Sequence, residues 1–379
     1  MIYLDNSATT RTLETAADAA KKYMTEGFFN PAGAYAPAAS IEREVEGARE
    51  RLARVLQAQP QEILFTSGGT ESNNMALHGA TEAMRNGGGV IVSGVEHPSV
   101  YETAHALGAR FSFEEAAVDE TGKVDVEKLT AMLSEQTRLV SIMHVNNEVG
   151  AINDIPAIYA RVKKYAPLAL LHVDGVQAFL KVPLESRYFD LYSISGHKFH
   201  APKGVGALYV KAGTRFTGGQ TGGGQERGLR SGTTNVPGIM GMDAAIADYM
   251  QNRESHIESM RACKRRLAEN LAGMEDVYIN GPSVDAGAPH ILNASFLGIR
   301  GEVLLHALEE REIYVSTGSA CSAHKKGKNR ILTAMGIVGE RQEGAIRFSF
   351  CPHNTVEEMD RVAEAIQGIV PVLRRFKRR

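Results

Sequence analysis

An aspartate that closes one apolar run and a lysine that follows the next frame the most informative span of the chain, HVDGVQAFLKVPLESRYFDLYSISGHKFHAPKGVGALYV (172–210). Asp174 ends the run LALLHV, and Lys198 follows DLYSIS with Gly196 and His197 just before it. Burial beside apolar strands disfavours the charged amine, so a lysine placed there is suited to Schiff-base chemistry with an aldehyde. An acid at the end of a neighbouring strand is what keeps a pyridinium nitrogen protonated. Taken alone, the pair reads first as a surface lysine and a strand-end aspartate. The turn TSGGTES (66–72) alters that balance, because it offers backbone N–H groups and Thr70 at the start of a helix-like stretch, a site suited to phosphate. A glycine pair is weak evidence alone, since many loops contain one. A phosphate site, an acid and a lysine, all after strands, together fit pyridoxal 5′-phosphate (PLP), whose phosphate, ring nitrogen and aldehyde each need a partner.

A third kind of chemistry sits in STGSACSAHKKGK (316–328). Cysteine usually hides in cores as a small hydrophobe. Here Cys321 stands among Ser316, Thr317, Gly318, Ser319, Ala320, Ser322 and Ala323, a composition that reads as loop. A thiolate there is a nucleophile that can move and be reached. Lys325, Lys326 and Lys328 could lower its pKa or attract an acidic surface; keeping a loop soluble explains them equally well.

The elements that must position these residues alternate. Strand-like runs fall at 62–66, 90–93, 139–145, 168–173, 190–195 and 205–210, with helical patterns at 41–57, 70–84, 125–134 and 154–166 between several of them. Ile41, Val45, Ala48, Leu52 and Val55 form one helical stripe, and Asp154 with Pro156 marks a helix start. Such alternation predicts an α/β fold built on a doubly wound, mostly parallel sheet, with ligands at the carboxyl ends of its strands. A glycine-dense segment (217–238) interrupts the pattern, followed by a long helical stretch (about 239–272) and weaker strand signals near 291–297 and 345–350. No internal repeat is visible, and RRFKRR (374–379) reads as a solvated helix end.

Composition bounds the rest. The chain has 379 residues, enough for two domains, and a net charge of −2 that predicts neither nucleic-acid nor membrane binding. Cys263, Cys321 and Cys351 lack CxxC spacing, which argues against a disulfide framework or zinc site and fits a reducing compartment. MIYLDNSATT lacks the basic and apolar regions of a signal peptide, and no apolar run approaches the ~20 residues that span a bilayer. The expectation is a soluble, cytoplasmic protein.

As a set, YLDNSATT (3–10), FTSGGTESNN (65–74), EHPSV (96–100), VNNEVG (145–150), HVDGVQA (172–178), SISGHKFHAPKGVGALYV (193–210), GGGQERGLRSGT (222–233), STGSACSA (316–323) and IRFS (346–349) carry a resemblance nearly end to end. The chain resembles the cysteine desulfurases of the class V aminotransferase group, of the type with a long cysteine loop. The resemblance implies a PLP-dependent transferase of fold type I. Lys198 would hold PLP covalently, Asp174 would pair with the ring nitrogen, and Gln177 would donate to the phenolic oxygen. Asn147 would face that oxygen or the substrate, and His97 would lie over the ring and move protons. Gly69, Thr70, Ser195 and His197 would hold the phosphate. Thr233 would reach it from a second subunit, which implies an obligate homodimer. Arg347 would bind the carboxylate of L-cysteine as a bidentate fork, with Asn147 and Asn30 also at the substrate. Cys321 would attack the substrate sulfur, leaving a persulfide on the enzyme and releasing alanine.

Three segments depart from the family pattern. FFNPAGAY keeps Asn30 and Pro31 but lacks the serines and histidine usual after them, so the role of this segment at the substrate entrance stays open. FCPHNT replaces a common Leu-Gly-Arg and supplies Cys351, either a second thiol near the site or a buried filler. SAHKKGKNRIL differs from members serving a general iron–sulfur scaffold, so the sulfur acceptor stays open among such a scaffold, a tRNA-thiolating enzyme and a thiamine-pathway carrier. The runner-up readings are a selenocysteine lyase, a small-amino-acid aminotransferase, or a non-catalytic PLP-binding partner. Transamination needs no thiol, and a binding partner needs no lysine, histidine and cysteine together. A dinucleotide-binding dehydrogenase fits poorly, because the glycine-rich segments lack G-x-G-x-x-G spacing. The expected architecture is a large PLP-binding domain (15–255) and a smaller α/β domain formed by 1–14 with 256–379, the latter carrying the cysteine loop (about 316–330).

Overall fold

A computed structural model describes residues 1–84, 86–318 and 329–377, so Cys321 and the lysines of the KKGK run lie outside the described residues. The strands are β1 (Ile2–Tyr3), β2 (Ile63–Thr66), β3 (Gly88–Ser93), β4 (Phe111–Ala116), β5 (Thr137–Met143), β6 (Leu170–Asp174), β7 (Leu191–Ser195), β8 (Gly206–Val210), β9 (Val277–Asn280), β10 (Ile291–Phe296), β11 (Ile313–Tyr314) and β12 (Ala345–Ser349). The helices are α1 (Glu14–Thr25), α2 (Ala36–Leu56), α3 (Gly69–Glu82), α4 (Pro98–His105), α5 (Val126–Met132), α6 (Ile155–Tyr165), α7 (Val236–Ala272), α8 (Gly301–Glu309), α9 (Arg330–Ala334), α10 (Glu340–Glu343) and α11 (Val356–Lys377).

The main sheet has seven strands in the order β2-β8-β7-β6-β5-β3-β4. Strands β4, β3, β5, β6 and β7 pair in parallel, while β8 runs antiparallel to both β7 and β2. The mostly parallel sheet expected from the alternation is therefore present, and β8 is its exception. Strands β6 and β7 read as short continuous apolar runs because helices cover both faces of a parallel sheet. The local signals read from the sequence reappear as atoms: the Asp154 carboxylate accepts from the Ala157 N–H at 3.0 Å, capping α6. Ile41, Val45, Ala48 and Leu52 form the buried stripe of α2. Strand β5 ends at Met143, two residues short of the apolar run, because Val145 turns away to bridge Ile152.

Strand β4 (FSFEEA) escapes the sequence pattern, since Glu114 and Glu115 are exposed on an edge strand, where charge blocks unwanted pairing. The 37-residue α7 crosses a break at Asn252 (φ −115°, ψ 15°). Its buried residues up to Tyr249 pack with the main sheet, and from Met260 onward they pack with Ile2, Leu4, Leu292, Phe348 and Ile366. That second core lies on a three-stranded antiparallel sheet, β12-β10-β9, and the amino-terminal β1 pairs with β11 beside it. Among the described residues, no helix is long and apolar enough to cross a membrane.

Candidate active site

The carboxyl ends of the parallel strands open on one cavity of about 430 Å³. Asp174 is the last residue of β6, and Ser195 ends β7 just before a 3-10 turn at Gly196–Lys198. His97 caps α4 after β3, Asn147 follows β5, and Gly69 opens α3 after β2. Gly69, Thr70, His97, Asn147, Asp174, Gln177, Ser195, His197, Lys198 and Arg347 all line the cavity. Asn30 and Thr233 do not; both are exposed, and the Asn30 side chain accepts from the Ala32 N–H at 3.0 Å. Cys321 lies outside the described residues, but Ser316 and Gly318 before it and Asn329, Arg330 and Ile331 after it line the cavity.

Each side chain is held from a different element. Lys198 Nζ donates to the Ser7 and Ala8 carbonyls at 2.6 and 2.7 Å. Asp174 is buried; its Oδ2 accepts from Asn73 Nδ2 at 2.8 Å and its Oδ1 from the Val176 N–H at 3.0 Å. Gln177 Nε2 donates to the Ser7 carbonyl at 2.9 Å, and its Oε1 accepts from His290 Nε2 at 3.2 Å. One N–H of that amide is thus already engaged. Asn147 Oδ1 is buried and has no hydrogen-bond partner among the described residues.

Burial holds the His97 imidazole below its ordinary range; Asp174 opposes that shift, while the charges of Lys198 and Arg330 add to it. Its Nδ1 accepts from the Ser99 N–H at 3.1 Å, so the neutral ring carries its proton on Nε2. His197 is pushed down to about 3, first by burial and then by Lys198, Lys203 and Lys181, and its Nδ1 lies 3.1 Å from Thr9 Oγ1. Arg347 on β12 is buried, with Nη2 2.7 Å from Asp5 Oδ1 and Nη1 donating to the Asn147 carbonyl at 3.1 Å.

At the mouth of α3, a Cβ added to Gly69 would fall 2.7 Å from Val176 Cγ2 and 3.4 Å from Ser195 Cβ. The backbone at Gly69 therefore packs too closely against Val176 to carry a side chain without a shift. Gly68 has φ +144°, which favours glycine, and it sets the turn into the helix. Thr9, Ser195, His197 and Lys203 border the same helix start. Cys351 is partly buried and outside the cavity lining, and burial pushes its thiol up.

Several residues that shape the cavity escape the sequence reading. Glu96 is buried, and burial pushes its carboxyl up to about 8. Arg330 donates to the Gly94 and Glu96 carbonyls and lies 3.8 Å over the Tyr101 ring. Ser7 and Glu148 fall inside quoted motifs, yet nothing in their spacing shows that they face Lys198 and Arg347.

A sheet with its lysine, acid and open helix start gathered at the strand ends defines a class of protein. The family model described as aminotransferase class-V matches residues 2–362, and the chain belongs to that family. Within it the likeness is to cysteine desulfurases: the chain is 39% identical over 378 residues to a cysteine desulfurase of Nostoc sp., covering 99% of this chain and 94% of the relative. Among solved structures, a NifS-like protein superposes with a TM-score of 0.92 at 36% identity, covering 98% of this chain and 100% of that one. The structure titled SspA in complex with cysteine does so with a TM-score of 0.82 at 29% identity, covering 94% and 100%.

Proposed function

We propose that this enzyme is a PLP-dependent cysteine desulfurase that converts L-cysteine to L-alanine and passes the sulfur on through Cys321. The convergence of Lys198, Asp174 and Arg347 on one cavity at the strand ends carries the reading. The residues fit the cofactor on three counts: an amine and a buried acid on one cavity, the start of α3 at Gly69 and Thr70 on the same cavity, and Asn147 Oδ1, which has no hydrogen-bond partner among the described residues. Lys198 would hold PLP covalently, Asp174 would face its ring nitrogen, and Gly69, Thr70, Ser195 and His197 would hold its phosphate. When bound, PLP supplies an electron sink that weakens the bonds around the substrate's α- and β-carbons.

The chain's own residues do the rest. Arg347 binds the substrate carboxylate, Asn147 and Gln177 orient the bound groups, and His97 Nε2 holds a proton at the cavity wall. The Cys321 thiolate attacks the substrate sulfur: a sulfur–sulfur bond forms, the Cβ–S bond breaks, and its electron pair takes a proton to give the alanine methyl. Cysteine plus enzyme thiol thereby become alanine plus enzyme persulfide, with no outside oxidant. The persulfide sulfur goes to an acceptor protein, an iron–sulfur scaffold or a tRNA- or thiamine-thiolating enzyme.

The exposed Thr233 and Asn30 belong in this reading to a homodimer, in which Thr233 completes the partner's phosphate site and Asn30 borders the substrate entrance. The change of core at Asn252 is taken as the joint between a domain of 15–255 and one of 1–14 with 256–379. A cytoplasmic setting accords with three cysteines in no disulfide pattern. One assay tests the activity: with L-cysteine and a thiol reductant, alanine and sulfide form in equal amounts. Keto acid without sulfide would replace this reading with an aminotransferase.

A further inference from the structure

Arg347 meets more carboxyl groups than one guanidinium needs. Nη2 pairs with Asp5 Oδ1 at 2.7 Å, and Nη1 stands 3.9 Å from Glu148 Oε1. Arg347 Nε is buried and has no hydrogen-bond partner among the described residues. Glu148 is 3% exposed, and its Oε2 likewise has no hydrogen-bond partner among them. The backbone that carries this carboxyl is fixed in place. Asn146 Oδ1 accepts from the Glu148 and Val149 N–H groups at 2.9 and 3.0 Å, and Asn293 Nδ2 donates to the Glu148 carbonyl at 3.2 Å. On its far side Oε2 packs against Gly318 (φ +70°), where an added Cβ would fall 1.9 Å away.

We propose that Glu148 is a specificity-determining residue for the substrate's α-carboxylate: with Asp5 it brackets the Arg347 guanidinium and so sets the negative charge that an incoming carboxylate meets there. The inference rests on the reading of Arg347 as the carboxylate-binding residue. Asp5 already faces the guanidinium, so a substrate carboxylate brings a second negative charge and an ionised Glu148 would bring a third. Repulsion between charges this close, away from water, opposes binding. The charged groups facing Glu148 are Arg347 on β12 and Asp5 ahead of α1. Burial pushes its carboxyl up, Arg347 opposes, and Asp5 reinforces, so Glu148 keeps its proton to higher pH than an ordinary glutamate. The sign follows. With Glu148 protonated, Arg347 accepts the carboxylate; as pH rises and Glu148 ionises, carboxylate binding weakens.

The test titrates PLP-loaded protein with L-alanine and with ethylamine, the same amine without its carboxylate, following the visible absorbance. The ratio of the two dissociation constants isolates the carboxylate's contribution. In the wild type the preference for alanine falls about 10-fold as pH rises through the ionisation of Glu148, equivalent to about 1.4 kcal/mol. In Glu148→Gln it is independent of pH, and in Arg347→Gln it is lost at every pH. A pH-independent preference in the wild type overturns the role of Glu148, and that measurement needs no variant to fold. So does a Glu148→Gln profile matching the wild type while Arg347→Gln loses its preference. An intact preference in Arg347→Gln overturns the reading of Arg347 itself, and the inference falls with it.

Discussion

Asn73 on α3 donates a 2.8 Å hydrogen bond to Oδ2 of Asp174 at the end of β6, tying the helix that opens on the phosphate-suited turn to the acid in the cavity. The bond fixes the carboxylate's orientation within a buried site. Asp174→Asn removes the charge and turns the Asn73 contact into a neutral one. A charge-assisted hydrogen bond contributes about 1.5–3 kcal/mol, so PLP affinity should fall by about 10- to 100-fold. Equilibrium dialysis against PLP measures it, and unchanged affinity would remove Asp174 from the cofactor site.

Lys198→Ala should leave the fold intact while abolishing the visible-edge absorbance of PLP-loaded protein. The substitution removes the Nζ bonds to the Ser7 and Ala8 carbonyls, which lie at the cavity and not in either core. A retained band after gel filtration would show that another amine holds the cofactor.

Cys321→Ser should retain PLP and bind L-cysteine but release no sulfide or persulfide. A hydroxyl cannot substitute for the thiolate in attack on sulfur. Turnover of cysteine to alanine at the wild-type rate, with the same acceptor, would falsify the assignment.

Gly69→Ala forces a Cβ to within 2.7 Å of Val176 Cγ2 at the start of α3. Because the helix must shift by some tenths of an ångström where it meets the phosphate, PLP should bind about 10-fold more weakly, with thermal stability of the apoprotein changed by less than about 2 kcal/mol. Loss of stability without loss of affinity would make Gly69 a packing residue only.

The buried histidines make stability depend on acid. His172 is held down to about 3 and His144 to about 4 by burial, and His200 to about 4 chiefly by burial. Each is neutral when folded and takes up a proton on unfolding below about pH 6.5, so stability present at neutral pH is lost as pH falls from there toward the folded values. The slope is about 1.4 kcal/mol per pH unit for each fully participating group. Thermal melts at pH 7 and pH 5 check it, and equal midpoints would contradict the burial of these rings.

Much of the main sheet and ten of the residues that line the cavity were legible, because continuous apolar runs ending in polar residues mark buried parallel strands. Strand β4 was not, since an edge strand with Glu114 and Glu115 outward looks like a loop. The joint at Asn252 was not, because the helical pattern of α7 runs through it. The grip of Ser7 and Ala8 on Lys198 was illegible for another reason: it is made by backbone carbonyls, which carry no sequence signature. Asn30 and Thr233 show the limit of carrying roles over from a family motif: a motif names a residue type and does not place it at this chain's cavity.

That backbone grip bears on how the molecule is made. Residues 2–8 find their partners far along the chain: β1 pairs with β11, Asn6 donates to the Ser349 carbonyl, and the Ser7 and Ala8 carbonyls accept from Lys198. Contacts of such sequence separation form late and slowly. The opening segment is thus the last wall of the site to be set. Changes within residues 2–8 should therefore disturb the cavity wall at Ser7 and Ala8 together with the second core, to which Ile2 and Leu4 belong.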